Sequence, residues 1–181
     1  MRVITGTARG ARLKTLPGND VRPTPEKVKE GIFSAIQFDI QGRRFLDLFA
    51  GCGQMGIEAL SRGAQSCVFV DNTNSHLSMV KENLKSANLE DKAKLICADY
   101  ASFLATTPET FDIAFLDPPY HAGLFEKALD KVSNVMSEYG IILCEHPSEV
   151  KLPDSVNGFA CFKVYNYGKI RVTAYRRDSG E

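Results

Sequence analysis

Between residues 44 and 145, short apolar runs alternate with stretches whose apolar residues recur at helical spacing. The runs at 44–48, 66–70, 94–98, 112–116 and 140–145 have the length of strands, and the stretches at 54–62, 74–87, 99–105 and 123–136 have helical periodicity. Strand, helix, strand in succession implies parallel pairing through right-handed crossovers. Upstream, Arg22-Pro23-Thr24-Pro25-Glu26 predicts a helix start with Thr24 as N-cap and Pro25 at the first helical position. That helix runs to about Gln37, with Val28, Ile32, Phe33, Ala35 and Ile36 at helical spacing. Downstream, apolar residues alternate from Phe159 to Tyr175 around a Tyr167-Gly168 turn, the pattern of an antiparallel hairpin. The expected fold is α/β, a doubly wound, mostly parallel seven-stranded sheet with an antiparallel C-terminal hairpin and a small N-terminal extension.

Composition is compatible with that outline. The 181 residues suit one domain spanning 1–181, with a basic extension and helix over 1–40 and the α/β core over 41–181. A chain of this length buries roughly 70% of the surface its unfolded form exposes. Hydrophobic residues at 44% and charged residues at 24% are ordinary for a globular protein. No 18-residue apolar run occurs and Met1-Arg2-Val3-Ile4-Thr5-Gly6 lacks a signal-peptide core, so a cytoplasmic location and no membrane partner are expected. Cysteines 52, 67, 97, 144 and 161 are odd in number and form no Cys-x-x-Cys pair, which is the usage of buried thiols. Cys52 sits in a glycine loop, with no base legible beside it. His76, His121 and His146 are too scattered for a metal site, and none is expected; His121 reads as a rim residue and Glu145-His146-Pro147 as structural.

The formal net charge of zero hides a partition. Residues 1–30 carry seven Lys/Arg against three Asp/Glu, residues 31–162 ten against seventeen, and residues 163–181 five against two. Both ends are basic, which would offer a positive surface to a polyanion if they lie on the same side.

The candidate chemistry gathers at the predicted strand ends. Strand Phe45-Leu46-Asp47-Leu48-Phe49 breaks into Ala50-Gly51-Cys52-Gly53-Gln54-Met55-Gly56 before a helix, an order in which the glycines admit a ligand to the backbone and the helix offers free N–H groups. A dinucleotide site is open on this spacing. Asp47, inside the strand, is poor company for a pyrophosphate and suits a cation, such as the ammonium and sulfonium of S-adenosylmethionine. Asp71, at the tip of the second strand and 20 residues after Gly51, is placed to bind ribose hydroxyls in either kind of site. Asp99-Tyr100 follows the third strand, where a carboxylate beside an aromatic suits an adenine. The fourth strand ends in Asp117-Pro118-Pro119-Tyr120. Its two prolines remove two backbone donors and stiffen the elbow, leaving Asp117 and nearby carbonyls as acceptors for the NH2 group of a planar substrate, with the Tyr120 ring to stack on it. Four acids thus stand at the carboxyl ends of four consecutive strands, where open α/β sheets bind ligands.

Asp47-Leu48-Phe49-Ala50-Gly51-Cys52-Gly53 with Asp117-Pro118-Pro119-Tyr120 resembles the paired signatures of class I S-adenosylmethionine-dependent amino-methyltransferases. Together with Arg22-Pro23-Thr24, Val28-Lys29-Glu30, Gly56-Ile57-Glu58-Ala59-Leu60-Ser61-Arg62-Gly63-Ala64, the opening Gly6-x-x-Arg9-Gly10 and the late Tyr167-Gly168, nearly the whole chain is similar to the bacterial 16S ribosomal RNA guanine-N2 methyltransferase family. The family commonly has Glu where this chain has Asp71 and Ser where it has Cys52. The resemblance implies a Rossmann-like methyltransferase domain. In it, Asp47, Phe49, Ala50, Gly51 and Gly53 hold the methionine part of S-adenosylmethionine, Asp71 and Asn72 the ribose, and Asp99 and Tyr100 the adenine. It further implies that Asp117 and the Pro118 carbonyl accept from the guanine amine, that Tyr120 stacks on the base, and that the chain acts as a monomer on 16S ribosomal RNA, free or within an assembling small subunit.

Phosphate contacts then fall to the basic ends, with Arg2, Arg9, Arg12, Lys14 and Arg22 on one side and Lys163, Lys169, Arg171, Arg176 and Arg177 on the other. Two other classes stay open at this point: an adenine-N6 methyltransferase acting through the same elbow, and a non-catalytic RNA- or nucleotide-binding module or an oxidoreductase using the glycine loop.

Overall fold

The structure, a computed structural model, describes residues 1–16, 23–121 and 123–177. Strands β1 (Arg44–Leu48), β2 (Ser66–Asp71), β3 (Ala93–Cys97), β4 (Phe111–Leu116) and β5 (Met136–Pro147) pair in parallel, and β7 (Phe159–Tyr167) and β8 (Ile170–Arg177) form the hairpin, β8 pairing antiparallel to β5. Helices α1 (Glu26–Ala35), α2 (Gln54–Ser61), α3 (Asn74–Ala87), α4 (Tyr100–Thr106) and α5 (Leu124–Ser133) complete it. The described sheet has eight strands in the order β3-β2-β1-β4-β5-β8-β7-β6, not the seven expected. The addition is β6 (Ser155–Val156), two residues bridging to Phe159 and Ala160, too short to leave an apolar period in the sequence.

Strands in the middle of a doubly wound sheet bury both faces, so their alternate residues serve two cores. Phe45, Phe69, Ile113, Phe115, Ile141 and Leu143 pack with α1, α2 and α3, while Leu46, Leu48, Val68, Val70, Ala114 and Ile142 pack with α4 and α5. Asp47 has the parity of Phe45 and therefore points to the face that carries α1 to α3.

Two boundaries differ from expectation for tertiary reasons. Thr24 does not cap α1: the cap position is Pro25, no side chain caps it, and the buried Thr24 hydroxyl donates instead to Glu145 Oε2 at 2.9 Å. At the other end of the chain, β5 starts at Met136 and α5 stops at Ser133, because Phe111 pairs with Met136 and draws those residues into the sheet.

The N-terminal arm lies along α2. Ile4 and Thr5 donate backbone N–H groups to Glu58, Ala8 donates to Ser61 Oγ, and Lys14 exchanges backbone bonds with Asn83 of α3. Covered by the arm and by the sheet, all eight residues of α2 are buried.

Candidate active site

The turn after β1 is held in an unusual backbone conformation. Phe49, Gly51 and Gly53 all have positive φ, at 71°, 57° and 80°. Gly53 takes this conformation freely, whereas a bulky residue such as Phe49 pays of order 1–3 kcal/mol for it, and such strain persists only where the surroundings enforce it. Here Phe49 and Ala50 both donate N–H groups to the Val70 carbonyl, and the Phe49 ring lies 5.2 Å from the Tyr100 ring. Gly56 lets α2 press on β2: a side chain there would collide with the Phe69 ring and lie 2.6 Å from Cys67 Sγ. The close approach brings the Gly56 N–H to 2.9 Å from Asp47 Oδ2. Burial pushes the Asp47 carboxyl up to about 7 although that hydrogen bond works the other way.

At the tip of β2, the Asp71 carboxylate is engaged on both oxygens. Oδ2 accepts from the Gly51 N–H at 3.0 Å, and Oδ1 accepts from the Thr73 N–H and faces His76 Nδ1, each at 3.0 Å. A carboxylate oxygen only accepts, so Nδ1 carries the hydrogen. Asn72 is exposed, its Oδ1 taking the Thr73 hydroxyl. Asp99 is the N-cap of α4, with Oδ2 accepting from Ala101 and Ser102.

The Asp117-Pro118 elbow follows β4, and Leu116 pairs with Cys144 of β5. Asp117 therefore stands beside Glu145. Burial, then the negative charges of Glu145 and Asp47, pushes the Asp117 carboxyl well above the ordinary carboxylate range, and burial holds Glu145 at about 7 against the Thr24 hydrogen bond. The next residue, His146, is kept neutral first by burial: Nδ1 donates to the Pro147 carbonyl and Nε2 accepts from the Thr173 hydroxyl, at 2.9 and 2.8 Å. Tyr120 is 63% exposed, its ring 6.4 Å from that of Phe125.

These pieces surround one cavity of about 890 Å³, within the range of small-molecule sites. Asp47, Phe49, Ala50, Gly51, Asp71, Asn72, Asp99, Tyr100, Asp117, Pro118 and Tyr120 all line it, so the glycine turn and the Asp-Pro-Pro-Tyr elbow face a common space. Gly53 is set behind the turn, with Val80 and Phe69 against it.

Several residues of the wall were not expected there. Glu145 and His146, expected to be structural, line the cavity, as does His76. Only the position of Glu145 at the end of a predicted strand, like the four aspartates, could have flagged it.

The basic ends are less uniform. Arg2, Arg9 and Arg12 are exposed, and Arg2 Nε is 3.6 Å from Glu26. Lys14 is paired with Glu82, Arg171 is half-buried and donates to Asn166, and Arg176 lies on Phe162 and pairs with Asp39. Lys169 reaches the cavity wall. Arg22 lies outside the described residues. Among the described residues no cluster of His, Cys, Asp and Glu suits a metal, and no helix is long and apolar enough to cross a membrane.

Comparison with known proteins draws on nearly the whole chain. Residues 1–176 match the family described as "Conserved hypothetical protein 95". The Bacillus subtilis (strain 168) protein named "Putative rRNA methyltransferase YlbH" is 41% identical over 98% of this chain and 99% of its own. "Ribosomal RNA small subunit methyltransferase D" of Haemophilus influenzae is 36% identical over 71% of this chain and 68% of its own. Among solved structures, the Escherichia coli protein titled "Putative methyltransferase yhhF" superposes with a TM-score of 0.89 at 26% identity, covering 99% of this chain and 98% of that one. The chain belongs to the conserved hypothetical protein 95 family, alongside relatives that bear the name of ribosomal RNA methyltransferases.

Proposed function

We propose that the protein transfers a methyl group from S-adenosylmethionine to the exocyclic N2 amine of a guanine in 16S ribosomal RNA. The observation that carries this reading is the common cavity, which has Asp47 and the Phe49–Cys52 turn on one wall and Asp117, Pro118 and Tyr120 on another. Relatives named as ribosomal RNA small subunit methyltransferases support the RNA substrate.

The donor set fits S-adenosylmethionine. Asp47, Asp71, Asp99, Asp117 and Glu145 all face the space, and none of them has a Lys or Arg partner among the described residues. Such a wall repels a pyrophosphate and favours a cation. Asp47 with the turn from Phe49 to Gly53 would hold the charged methionine end, Asp71 and Asn72 the ribose, and Asp99 with Tyr100 and Phe49 the adenine. The cofactor supplies an electrophilic sulfonium methyl group.

The residues of the elbow act on the acceptor. An exocyclic guanine amine is a weak nucleophile because its lone pair is delocalised into the ring. Asp117 and the Pro118 carbonyl accept its two hydrogens, which favours a pyramidal nitrogen with its lone pair free to attack. Tyr120, open to solvent at the rim, stacks on the base; such stacking contributes about 1–3 kcal/mol per base. Holding both reactants in line supplies much of the remaining rate, about 7–11 kcal/mol for well-aligned groups. A paired guanine has to leave its helix first, and Arg2, Arg9, Arg12, Arg22, Lys169 and Arg171 are placed in this reading against the RNA backbone.

Nucleoside mass spectrometry of 16S RNA and of small subunits incubated with the protein and labelled S-adenosylmethionine tests the reading. Label in N2-methylguanosine, abolished in Asp117→Asn with S-adenosylhomocysteine affinity kept within about threefold, is expected. Label in adenine, or full activity of Asp117→Asn, overturns it.

A further inference from the structure

Glu145 is the carboxylate that the reaction above leaves unused. It follows Cys144, the register partner of Leu116, so it comes level with Asp117 on the neighbouring parallel strand and on the same face of the sheet. Thr24 fixes it there by donating to Oε2, and both acids line the cavity. Glu145 is buried and Asp117 half-buried, and a carboxylate withdrawn from water that stays ionised calls for a cation or a full set of donors, but none of the ion pairs among the described residues includes Asp117 or Glu145. The other groups turned toward them do not compensate two charges. Asp47 on β1 adds negative charge, His146 is neutral and satisfied on both nitrogens, Tyr120 and His121 stand at the rim, and Lys169 is exposed.

We propose that Asp117 and Glu145 form a carboxylate pair that holds one proton between them, with Glu145 as the positioning residue that readies Asp117 for the proton leaving the methylated amine. This rests on the reaction proposed above. Two like charges facing one another from adjacent strands raise each other's proton affinity, in keeping with the upward direction found for both groups. With one proton bound, the pair carries a single negative charge. Asp117 takes the N–H proton as the nitrogen–carbon bond forms and the electron pair of the broken carbon–sulfur bond returns to sulfur. The pair is then neutral with two protons, the sulfonium charge is gone, and one proton passes on to water.

The test is carboxyl carbon NMR titration of the full-length protein, free of cofactor and RNA, as wild type, Glu145→Gln and Asp117→Asn. The glutamine keeps an oxygen for Thr24. Wild type is expected to titrate in two steps, and each substitution to leave one step at least about one pH unit below the upper of the two, tenfold in proton affinity. In the pH dependence of kcat, whose acid limb is the lower step that ionises Asp117 beside protonated Glu145, Glu145→Gln is expected to raise that limb to the single step of Asp117, with KM for RNA unchanged. Titrations that do not respond to each other overturn the pair whatever the reaction. Coupled titrations with an unmoved acid limb overturn the role of Glu145 in the reaction, and coupled titrations without any RNA methylation overturn the reaction instead while leaving the pair in place.

Discussion

Glu58→Ala is a demanding test of how the N-terminal arm is fixed. The Glu58 side chain is fully buried: Oε1 accepts from the Thr5 N–H at 3.0 Å and from Arg62 Nε at 2.8 Å, while Oε2 accepts from the Ile4 N–H at 2.9 Å and lies 3.4 Å from Lys29 Nζ. Truncation strands two backbone donors and two cations at once. Removing one partner of a buried pair costs about 3–5 kcal/mol, and each unpaired buried N–H about 1–3 kcal/mol. These do not simply add, because the first residues can lift from α2 and hydrate and because Lys29 keeps its bond to the Arg2 carbonyl at 2.8 Å. The expected loss is about 4 kcal/mol in urea unfolding followed by circular dichroism, a large part of a typical stability of about 5–15 kcal/mol. Burial already lowers the Lys29 pKa, and Glu58 opposes that shift; without Glu58 the folded protein sheds this proton before the unfolded chain does. The stability of Glu58→Ala should therefore rise as pH climbs toward the ordinary lysine range. Adding Lys29→Met removes the stranded ammonium and should recover at least about 1.5 kcal/mol, a coupling that a double-mutant cycle reads directly. A loss below about 1 kcal/mol for Glu58→Ala, or a Lys29→Met cost that adds to it, would refute the reasoning.

Two further outcomes are expected. Because the folded Asp47 carboxyl titrates at about 7 and the unfolded one near 4, its contribution to stability is complete below about pH 4 and lost as pH passes 7. Asp47→Asn keeps an acceptor for the Gly56 N–H and should be more stable than wild type at pH 8 by about 4 kcal/mol, equal to it at pH 4, and at least about tenfold weaker for S-adenosylmethionine by calorimetry; equal stability at pH 8 would contradict this. Replacing Arg2, Arg9 and Arg12 by alanine should weaken RNA binding and lower the slope of its logarithm against log salt by roughly 2–3, with S-adenosylhomocysteine affinity unchanged; an unaltered RNA affinity would count against the basic arm.

Local pattern was enough for much of the architecture. Strands at 44–48 and 66–70 and helices at 54–62 and 74–87 fall within a residue of the observed elements, since a buried strand and an amphipathic helix each write their period into the chain. The aspartates at the strand ends and the glycine turn were legible for the same reason, as punctuation at fixed places in that alternation. What each aspartate holds was not: Asp71 secures the Gly51 N–H and His76, and Asp99 caps α4, bonds that depend on which backbone groups a turn presents.

By itself, then, the sequence determined that a parallel sheet would form and that acids would stand along its carboxyl edge, because side-chain alternation and crossover handedness act between near neighbours. Tertiary structure alone decided that Glu145 joins Asp117, that Thr24 leaves a helix cap to hold it 121 positions away, and that α2 disappears beneath the N-terminal arm. Those outcomes turn on strand register and on burial, which raises the energetic stake of every unpaired polar group, and neither quantity is written in any short stretch of the chain.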